Sequence, residues 1–241
     1  MRDEQITELL LAARRNGGEL LKELPASIRP RDWDEVRKAQ DLQMKRLGPV
    51  GGYKVGAAGP EAPISFAPLP ASGIVESGAT LVGWHQRWVE AEIAVRFARD
   101  LPRREVPYSP EEVQEAIGSV HPVIEVLNSR FRDVSKIDAL SLGADLIMHG
   151  GLVVGAAVPM PDLADETVSV LIDGVEASRG KGHPAGDMVR LLRYLADEVG
   201  IVAGQIVTTG SWNPVTVPPE DCTVVVRFAH AGEVSVRFQA A

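Results

Sequence analysis

A mixed α+β domain is predicted for this chain, and three features of the sequence predict it. Helical periodicity dominates the first 48 residues, and period-2 alternation with frequent Gly and Pro dominates the rest of the chain. The later helical segments are scattered among strands rather than alternating with them in βαβ order. The expected organisation is a helical N-terminal portion over 1–48 and a β-rich catalytic domain over 49–241, in one continuous unit.

Each element has a local cause. Over 6–15, Ile6, Leu9, Leu10 and Ala13 recur at helical spacing, and Asn16-Gly17-Gly18 supplies a stop. A second helix over 32–47 places Trp33, Val36, Ala39, Leu42, Met44 and Leu47 largely on one stripe. Val89, Ala91, Ile93, Val95 and Phe97 then alternate with Glu90, Glu92, Ala94 and Arg96, a period-2 strand whose second face carries the acids. Ser109-Pro110-Glu111-Glu112 reads as an N-cap with proline at the first helical position, opening a helix to about Ser119.

Short apolar strands are expected over 122–127 and 151–154. Val168–Ile172, Asp173-Gly174 and Val175 read as a hairpin with a type I′ turn. Residues 187–199 are helical, with Met188, Leu191, Leu192, Leu195 and Val199 on one side and Gly200 as the stop. The chain ends in strands over 205–209, 223–228 and 234–238, the last two paired across Ala231-Gly232.

Composition narrows the function. With 25 Lys+Arg against 33 Asp+Glu the net charge is −8, which disfavours an electrostatic nucleic-acid binder. The one cysteine, Cys222, can form neither an intrachain disulfide nor a thiolate zinc site, so a reducing cytoplasm is the expected compartment. No signal-peptide pattern opens the chain, and the most apolar stretch, 144–160, is broken by Asp145, His149 and several glycines, so no membrane span is expected. Dinucleotide, P-loop and G-x-S-x-G motifs are missing, and no His pair has zinc spacing on a helix.

The acids carry the chemistry. Glu90 and Glu92 lie two apart on one strand, so they project from the same face about 7 Å apart at Cα. Glu125 sits inside Pro122-Val123-Ile124-Glu125-Val126-Leu127, where a buried carboxylate needs a cation or several donors. Three carboxylates without thiolates suit a hard divalent cation such as Mg²⁺ or Mn²⁺; on a solvated face the Glu-x-Glu pair would instead be a wet strand edge.

Several ordered motifs add a resemblance. Gly52-Tyr53-Lys54-Val55-Gly56, Val89-Glu90-Ala91-Glu92-Ile93-Ala94 running on to Arg99-Asp100-Leu101-Pro102, and Val123-Ile124-Glu125-Val126 with Ser129-Arg130 are followed by Gly182-His183-Pro184 and Thr209-Gly210-Ser211. This pattern resembles the 2-keto-4-pentenoate hydratase and 4-oxalocrotonate decarboxylase family of the fumarylacetoacetate hydrolase superfamily. The resemblance implies a rolled, mixed β-sheet with Glu90, Glu92 and Glu125 as metal ligands at its mouth. It makes Lys54 a catalytic and substrate-binding residue, its ammonium able to exchange protons once its pKa is lowered. Ser211 is implied as a hydrogen-bonding partner of the substrate.

The activity implied is that of a metal-dependent hydratase acting on a short 2-oxo acid or 2-hydroxy-dienoate. Alternatives are a decarboxylase of a 4-oxalocrotonate-type acid, or a non-catalytic metal-holding paralogue that stabilises an active partner. The resemblance also implies a homo-oligomer built from dimers. One departure bears on the choice: family hydratases carry an acid shortly after a Phe-Gly-x-Leu-like segment, and in Phe66-Ala67-Pro68-Leu69-Pro70-Ala71-Ser72-Gly73 a serine, Ser72, stands there. Serine cannot act as the same base at neutral pH.

The remaining candidates are mostly structural. His121 and His149 fall near the acids but read first as satisfied core histidines, His183 as a turn or cap residue and His230 as a hairpin-loop residue. Trp212 either covers the site or packs a loop, Arg130 reads as a fold-holding ion-pair partner, and Cys222 as inert.

Overall fold

The computed structural model describes residues 1–15 and 18–240, so Asn16 and Gly17 of the expected helix stop lie outside the described residues. Helix α1 (Arg2–Arg14) buries Ile6, Leu10 and Ala13. Helix α2 (Trp33–Leu47) starts where Asp32 accepts the Glu35 amide at 2.9 Å. Its buried face differs from the expected stripe. Gln40 and Gln43 are buried, whereas Trp33 is 40% exposed and Leu42 and Leu47 are half-buried. The two glutamine amides donate to the carbonyls of Gly143 and Ala144 at 2.8 and 2.7 Å, so this face meets polar backbone instead of apolar side chains. Ile6, Leu10, Leu24, Ile28 and Ala39 close a small core with Phe131 and Ala144, far along the chain.

Twelve strands follow among the described residues: β1 (Val50–Gly56), β2 (Ser65–Pro70), β3 (Ile74–Glu76), β4 (Ala79–Val82), β5 (Trp88–Phe97), β6 (Ile117–Leu127), β7 (His149–Val154), β8 (Thr167–Ile172), β9 (Val175–Lys181), β10 (Ile206–Ser211), β11 (Cys222–Phe228) and β12 (Glu233–Gln239). Between them lie α3 (Pro110–Ala116), α4 (Ala139–Ala144) and α5 (Met188–Val199). The mixed α+β class holds, with the strands divided between two sheets. One has the order β2-β1-β10-β5-β6-β7-β3, the other β4-β12-β11-β8-β9. No helix among the described residues is long and apolar enough to cross a membrane.

The expected helix to Ser119 stops at Ala116, and Ile117 opens the eleven-residue β6. The Ser109–Glu112 capping box starts α3 as expected, but Ser119 and Val120 pair with Arg96 and Val95 of β5. A long ladder partner outweighs the weak helical preference of this stretch. The 173–174 turn has φ of 48° and 81°, the left-handed pair that a type I′ hairpin requires. In α5, Leu191, Leu192 and Leu195 face the core, and Gly200 at φ 74° ends the helix.

The two faces of β5 and β6 divide the work. Val89, Ala91, Ile93 and Val95, with Val120, Ile124 and Val126, pack in one core with Val168, Val224, Val226, Val234 and Val236 of the second sheet. The other face carries Glu90 and Glu92 and, directly opposite Glu90 in the antiparallel register, Glu125. β10 lies on the other side of β5, with Ser211 opposite Glu92, and β1 runs parallel beside β10 with Lys54 opposite Thr208. Four neighbouring strands thus deliver the expected site residues to one sheet face.

The β1–β10 contact depends on Gly52, where a Cβ would lie 1.8 Å from the Ile206 carbonyl oxygen. Backbone meets backbone there, so no side chain can yield. Gly52→Ala should destabilise the chain by about 2–4 kcal/mol, the range of severe overpacking. Urea unfolding monitored by circular dichroism checks this. A loss below about 0.5 kcal/mol, the size of an ordinary surface substitution, would show that β1 tolerates separation from β10.

Candidate metal centre

Each of Glu90, Glu92 and Glu125 offers a carboxylate oxygen within 4.8 Å of the others. Glu125 is fully buried and Glu92 is 2% exposed, so the wet-edge alternative does not describe this face. Glu92 Oε2 accepts the Gly210 amide at 2.8 Å and the Thr208 hydroxyl. Glu125 Oε1 accepts Lys54 Nζ at 2.5 Å. Its other oxygen, Oε2, is buried with no hydrogen-bond partner among the described residues. A lone carboxylate oxygen buried between two further carboxylates is costly unless a cation meets it. The all-oxygen donor set suits a hard divalent ion, so the residues present fit the cation that the spacing predicts.

Lys54 extends from β1 rather than from a surface turn, and its ammonium also donates to the Ile147 carbonyl at 3.2 Å. That carbonyl belongs to an unusual segment: Leu146, Ile147 and Met148 have φ of 51°, 50° and 61°, three successive non-glycine residues in the left-handed region. Each costs on the order of 1–2 kcal/mol, most for β-branched Ile147. The segment is held from both ends by a buried network. Asp145 accepts Ser129 Oγ at 2.8 Å, Arg130 N at 2.9 Å and Arg130 Nε. Arg130 Nη2 donates to the carbonyls of Asp145 and His149 at 3.1 and 3.0 Å. Arg130 is therefore the fold-holding partner expected of it.

The cleft over the triad has a volume of about 320 Å³. Lys54 and the three glutamates line one part of it, and Val55, Leu127, Ile147, Met148 and Pro184 the apolar part. Ser211 lines it too; its Oγ donates to the Asn213 carbonyl at 2.8 Å, which leaves its lone pairs for a donor. Ser72 does not line it and is exposed on the 3₁₀ turn Ala71–Gly73. Trp212 is buried outside it, edge-on to His183 and Phe228, so it packs a loop.

His121 is a satisfied core histidine, with Gly155 O and Ser119 Oγ each at 2.9 Å. His183 serves its turn by reaching Thr209 O at 2.7 Å. His149 departs from the structural reading: its Nδ1 lies 3.5 Å from Glu125 Oε1, and its Nε2 is buried without a partner among the described residues. Sequence reasoning missed Leu127, Ile147 and Met148, whose apolar side chains carry no local mark of a site. One signal was available, the charged Asp145 inside an apolar run.

Burial dominates the electrostatics. It pushes Glu90 up to about 7, against the pull of Lys54, and with repulsion from Glu125 and Glu90 it pushes Glu92 up to about 8. Burial acts on Glu125 in the same sense, but the Lys54 ammonium and His149 outweigh it and hold that carboxyl below its ordinary range. Burial lowers His149 to about 4. For Lys54 the expected lowering does not occur: burial acts downward, yet Glu125, Glu90 and Glu92 together hold the ammonium above its ordinary pKa.

These shifts have a sign in pH. A carboxyl raised in the fold contributes stability below its ordinary pKa of 4.5, and that contribution is lost as pH rises through about 7 to 8. A divalent cation requires the ionised forms and reverses the loss. The thermal midpoint of metal-free protein should therefore fall between about pH 6 and 8.5, and Mg²⁺ should raise it more at the higher pH. Glu92→Gln should weaken Mg²⁺ binding by at least about tenfold in titration calorimetry while the fold assembles. Unchanged Mg²⁺ affinity in the variant would remove the triad as the binding site.

The fumarylacetoacetate (FAA) hydrolase C-terminal family matches residues 36–239. A 4-oxalocrotonate decarboxylase of Pseudomonas putida is 28% identical, over 86% of this chain and 82% of its own. The structure of 4-oxalocrotonate decarboxylase from Pseudomonas putida G7, complexed with magnesium and adipate, superposes with a TM-score of 0.82 at 21% identity, covering 98% of this chain and 97% of that one. The 2-hydroxyhepta-2,4-diene-1,7-dioate isomerase from Mycobacterium marinum shares the fold more distantly, with a TM-score of 0.66 at 17% identity over 80% of this chain and 76% of that one. With its family match spanning most of both sheets, the chain belongs to the fumarylacetoacetate hydrolase family.

Proposed function

We propose that the chain is a divalent-metal-dependent carboxy-lyase acting on a short unsaturated 2-oxo acid of the 4-oxalocrotonate type, in preference to a hydratase. The observation that carries this reading is what lines the cleft. Beside the three metal-facing glutamates, Lys54 is the one ionisable side chain lining it among the described residues, and Lys54 is held protonated. Hydration needs a base for water, and among the described residues none lines the cleft beyond the glutamates committed to the metal; Ser72 lies elsewhere and is no base. Decarboxylation needs an acid and a dry wall, and both are present. The likeness to 4-oxalocrotonate decarboxylases supports the same choice.

Glu90, Glu92 and Glu125 would hold Mg²⁺ or Mn²⁺, which when bound supplies a Lewis acid for the carboxylate and adjacent oxo group of a 2-oxo acid. The chain's own residues do the rest. Leu127, Ile147 and Met148 exclude water around the distal carboxylate, favouring its loss as neutral CO₂. As that C–C bond breaks, its electron pair enters the conjugated 2-oxo system, and Lys54 Nζ, steadied by Ile147 O, donates a proton to carbon. Ser211 Oγ, its own proton directed to Asn213, can accept a hydrogen bond from the hydroxyl of the substrate's 2-hydroxy tautomer. The homo-oligomer implied by the family resemblance and the reducing cytoplasm expected from the cysteine content belong to the same proposal, and the one cysteine, buried Cys222, suits that compartment.

Incubation with Mg²⁺ and either 4-oxalocrotonate or 2-hydroxypenta-2,4-dienoate separates the readings. The expected outcome is CO₂ release from the first and no 4-hydroxy product from the second. A hydrated product without CO₂ overturns the proposal, and binding of Mg²⁺ and oxalate with no turnover of either substrate favours the non-catalytic paralogue. Lys54→Ala should lower kcat by about 10²-fold or more and Mg²⁺ affinity by much less, because the ammonium acts where charge develops. Full turnover in that variant would reduce Lys54 to a structural cation.

A further inference from the structure

One peptide group, between Thr209 and Gly210, joins a histidine to a metal-facing glutamate. Its N–H donates to Glu92 Oε2 at 2.8 Å, and its carbonyl accepts from His183 Nε2 at 2.7 Å. The sheet register slips at this point. β10 pairs with β5 at Thr208↔Ala94 and next at Ser211↔Glu92, which leaves Thr209 and Gly210 against the single Ile93. Gly210 takes a φ of 101°, a conformation that side-chain-bearing residues rarely adopt. A bulge of this kind re-aims the groups of its extra residue, and here the Gly210 amide points at a carboxylate.

His183 is held to one tautomer. The Ala185 amide donates to its Nδ1 at 3.2 Å, so that nitrogen carries no proton and Nε2 carries the one directed at the Thr209 carbonyl. Burial keeps the pKa of the ring below its ordinary value, in the neutral form that this arrangement needs. Trp212 packs edge-on against the ring with centroids 5.3 Å apart, and Gly182 and Gly186, at φ of 72° and 73°, bound the short turn that carries it.

A peptide whose carbonyl accepts a hydrogen bond becomes a stronger donor at its N–H, because each bond polarises the group for the other. Glu92 receives this N–H and the Thr208 hydroxyl on the same oxygen, which fixes the carboxylate in rotation and leaves Oε1 for a cation. We propose that His183 is a positioning residue of the metal centre, acting through the Thr209–Gly210 peptide to strengthen and aim the amide that holds Glu92. The inference rests on the glutamate triad as the metal site. His183 does not line the metal cleft, so its influence passes through backbone alone.

Two variants of the full chain test it. His183→Phe keeps a ring against Trp212 and removes the donor, whereas His183→Gln supplies an amide able to reach the Thr209 carbonyl. Mg²⁺ affinity is read by titration calorimetry, and the Gly210 amide proton by nuclear magnetic resonance of metal-free protein labelled at glycine nitrogen. His183→Phe should weaken Mg²⁺ binding by about tenfold, the lower end of what losing a group that orients a metal ligand costs. Its Gly210 amide resonance should move upfield. His183→Gln should keep both close to wild type, which a purely structural ring would not allow. Should His183→Phe fail to fold, His183→Asn, one bond too short for the Thr209 carbonyl, takes its place with the same expectations. If the donor-free variant binds Mg²⁺ like wild type while Glu92→Gln binds it weakly, this proposal falls and the metal centre stands. A Gly210 resonance that does not move, or a His183→Gln as impaired as His183→Phe, also overturns it. If wild type binds no Mg²⁺, or Glu92→Gln binds it undiminished, the metal centre itself is wrong and the proposal falls with it.

Discussion

Two carboxylates facing one another across a ladder set the terms for this molecule. Glu90 and Glu125 are directly opposed between β5 and β6, and Glu92 projects beside them from the same face. Like charges placed that way destabilise a sheet, and burial magnifies the cost. The surrounding structure answers it with donors and one cation. Lys54 approaches from β1, the Gly210 amide and Thr208 hydroxyl from β10, and His149 from β7. With three carboxylates and one ammonium the centre carries a formal charge of −2, the charge a single divalent cation cancels.

Neutralisation alone would not make a site, because the ammonium must be aimed. That task falls to the left-handed turn at Leu146–Met148, whose Ile147 carbonyl holds Lys54 Nζ. Such a turn persists only where its surroundings over-determine it. Here the Asp145–Arg130 ion pair clamps its two ends, and Gln40 and Gln43 of α2 take the carbonyls just before it. The N-terminal helices therefore bear on the metal centre without contributing a residue that lines the cleft.

The side chains that line the cleft are of two kinds, the charged Lys54 and glutamates and the apolar Val55, Leu127, Ile147, Met148 and Pro184. On the proposed reading the charged side chains meet the oxygen-rich end of a 2-oxo acid, and the apolar side chains from β6 and the left-handed turn solvate a second carboxylate poorly. Poor solvation of a departing carboxylate favours its loss as CO₂, so on that reading the wall that contributes no base contributes dryness.

Much of this was legible along the chain. The period-2 run over 89–97 fixes which residues of β5 share a face, so Glu90 and Glu92 are neighbours whatever the rest of the fold does. Glu125 announced itself by its apolar flanks, and Lys54 and Ser211 by the ordered motifs that carry the family resemblance. Caps, the type I′ hairpin and the apolar face of α5 are local properties, settled within a few residues, whereas the buried face of α2 is set by the carbonyls of Gly143 and Ala144. Pairing is not local. Which glutamate faces which, how Lys54 meets Glu125 across 71 positions of sequence, and why Ile117–Ser119 is strand rather than helix depend on ladder register between distant segments. The unpartnered oxygen of Glu125 and the left-handed backbone at Ile147 are likewise outcomes of tertiary structure. Only burial decides which polar atoms lose water, and only packing decides whether another group of the chain replaces it.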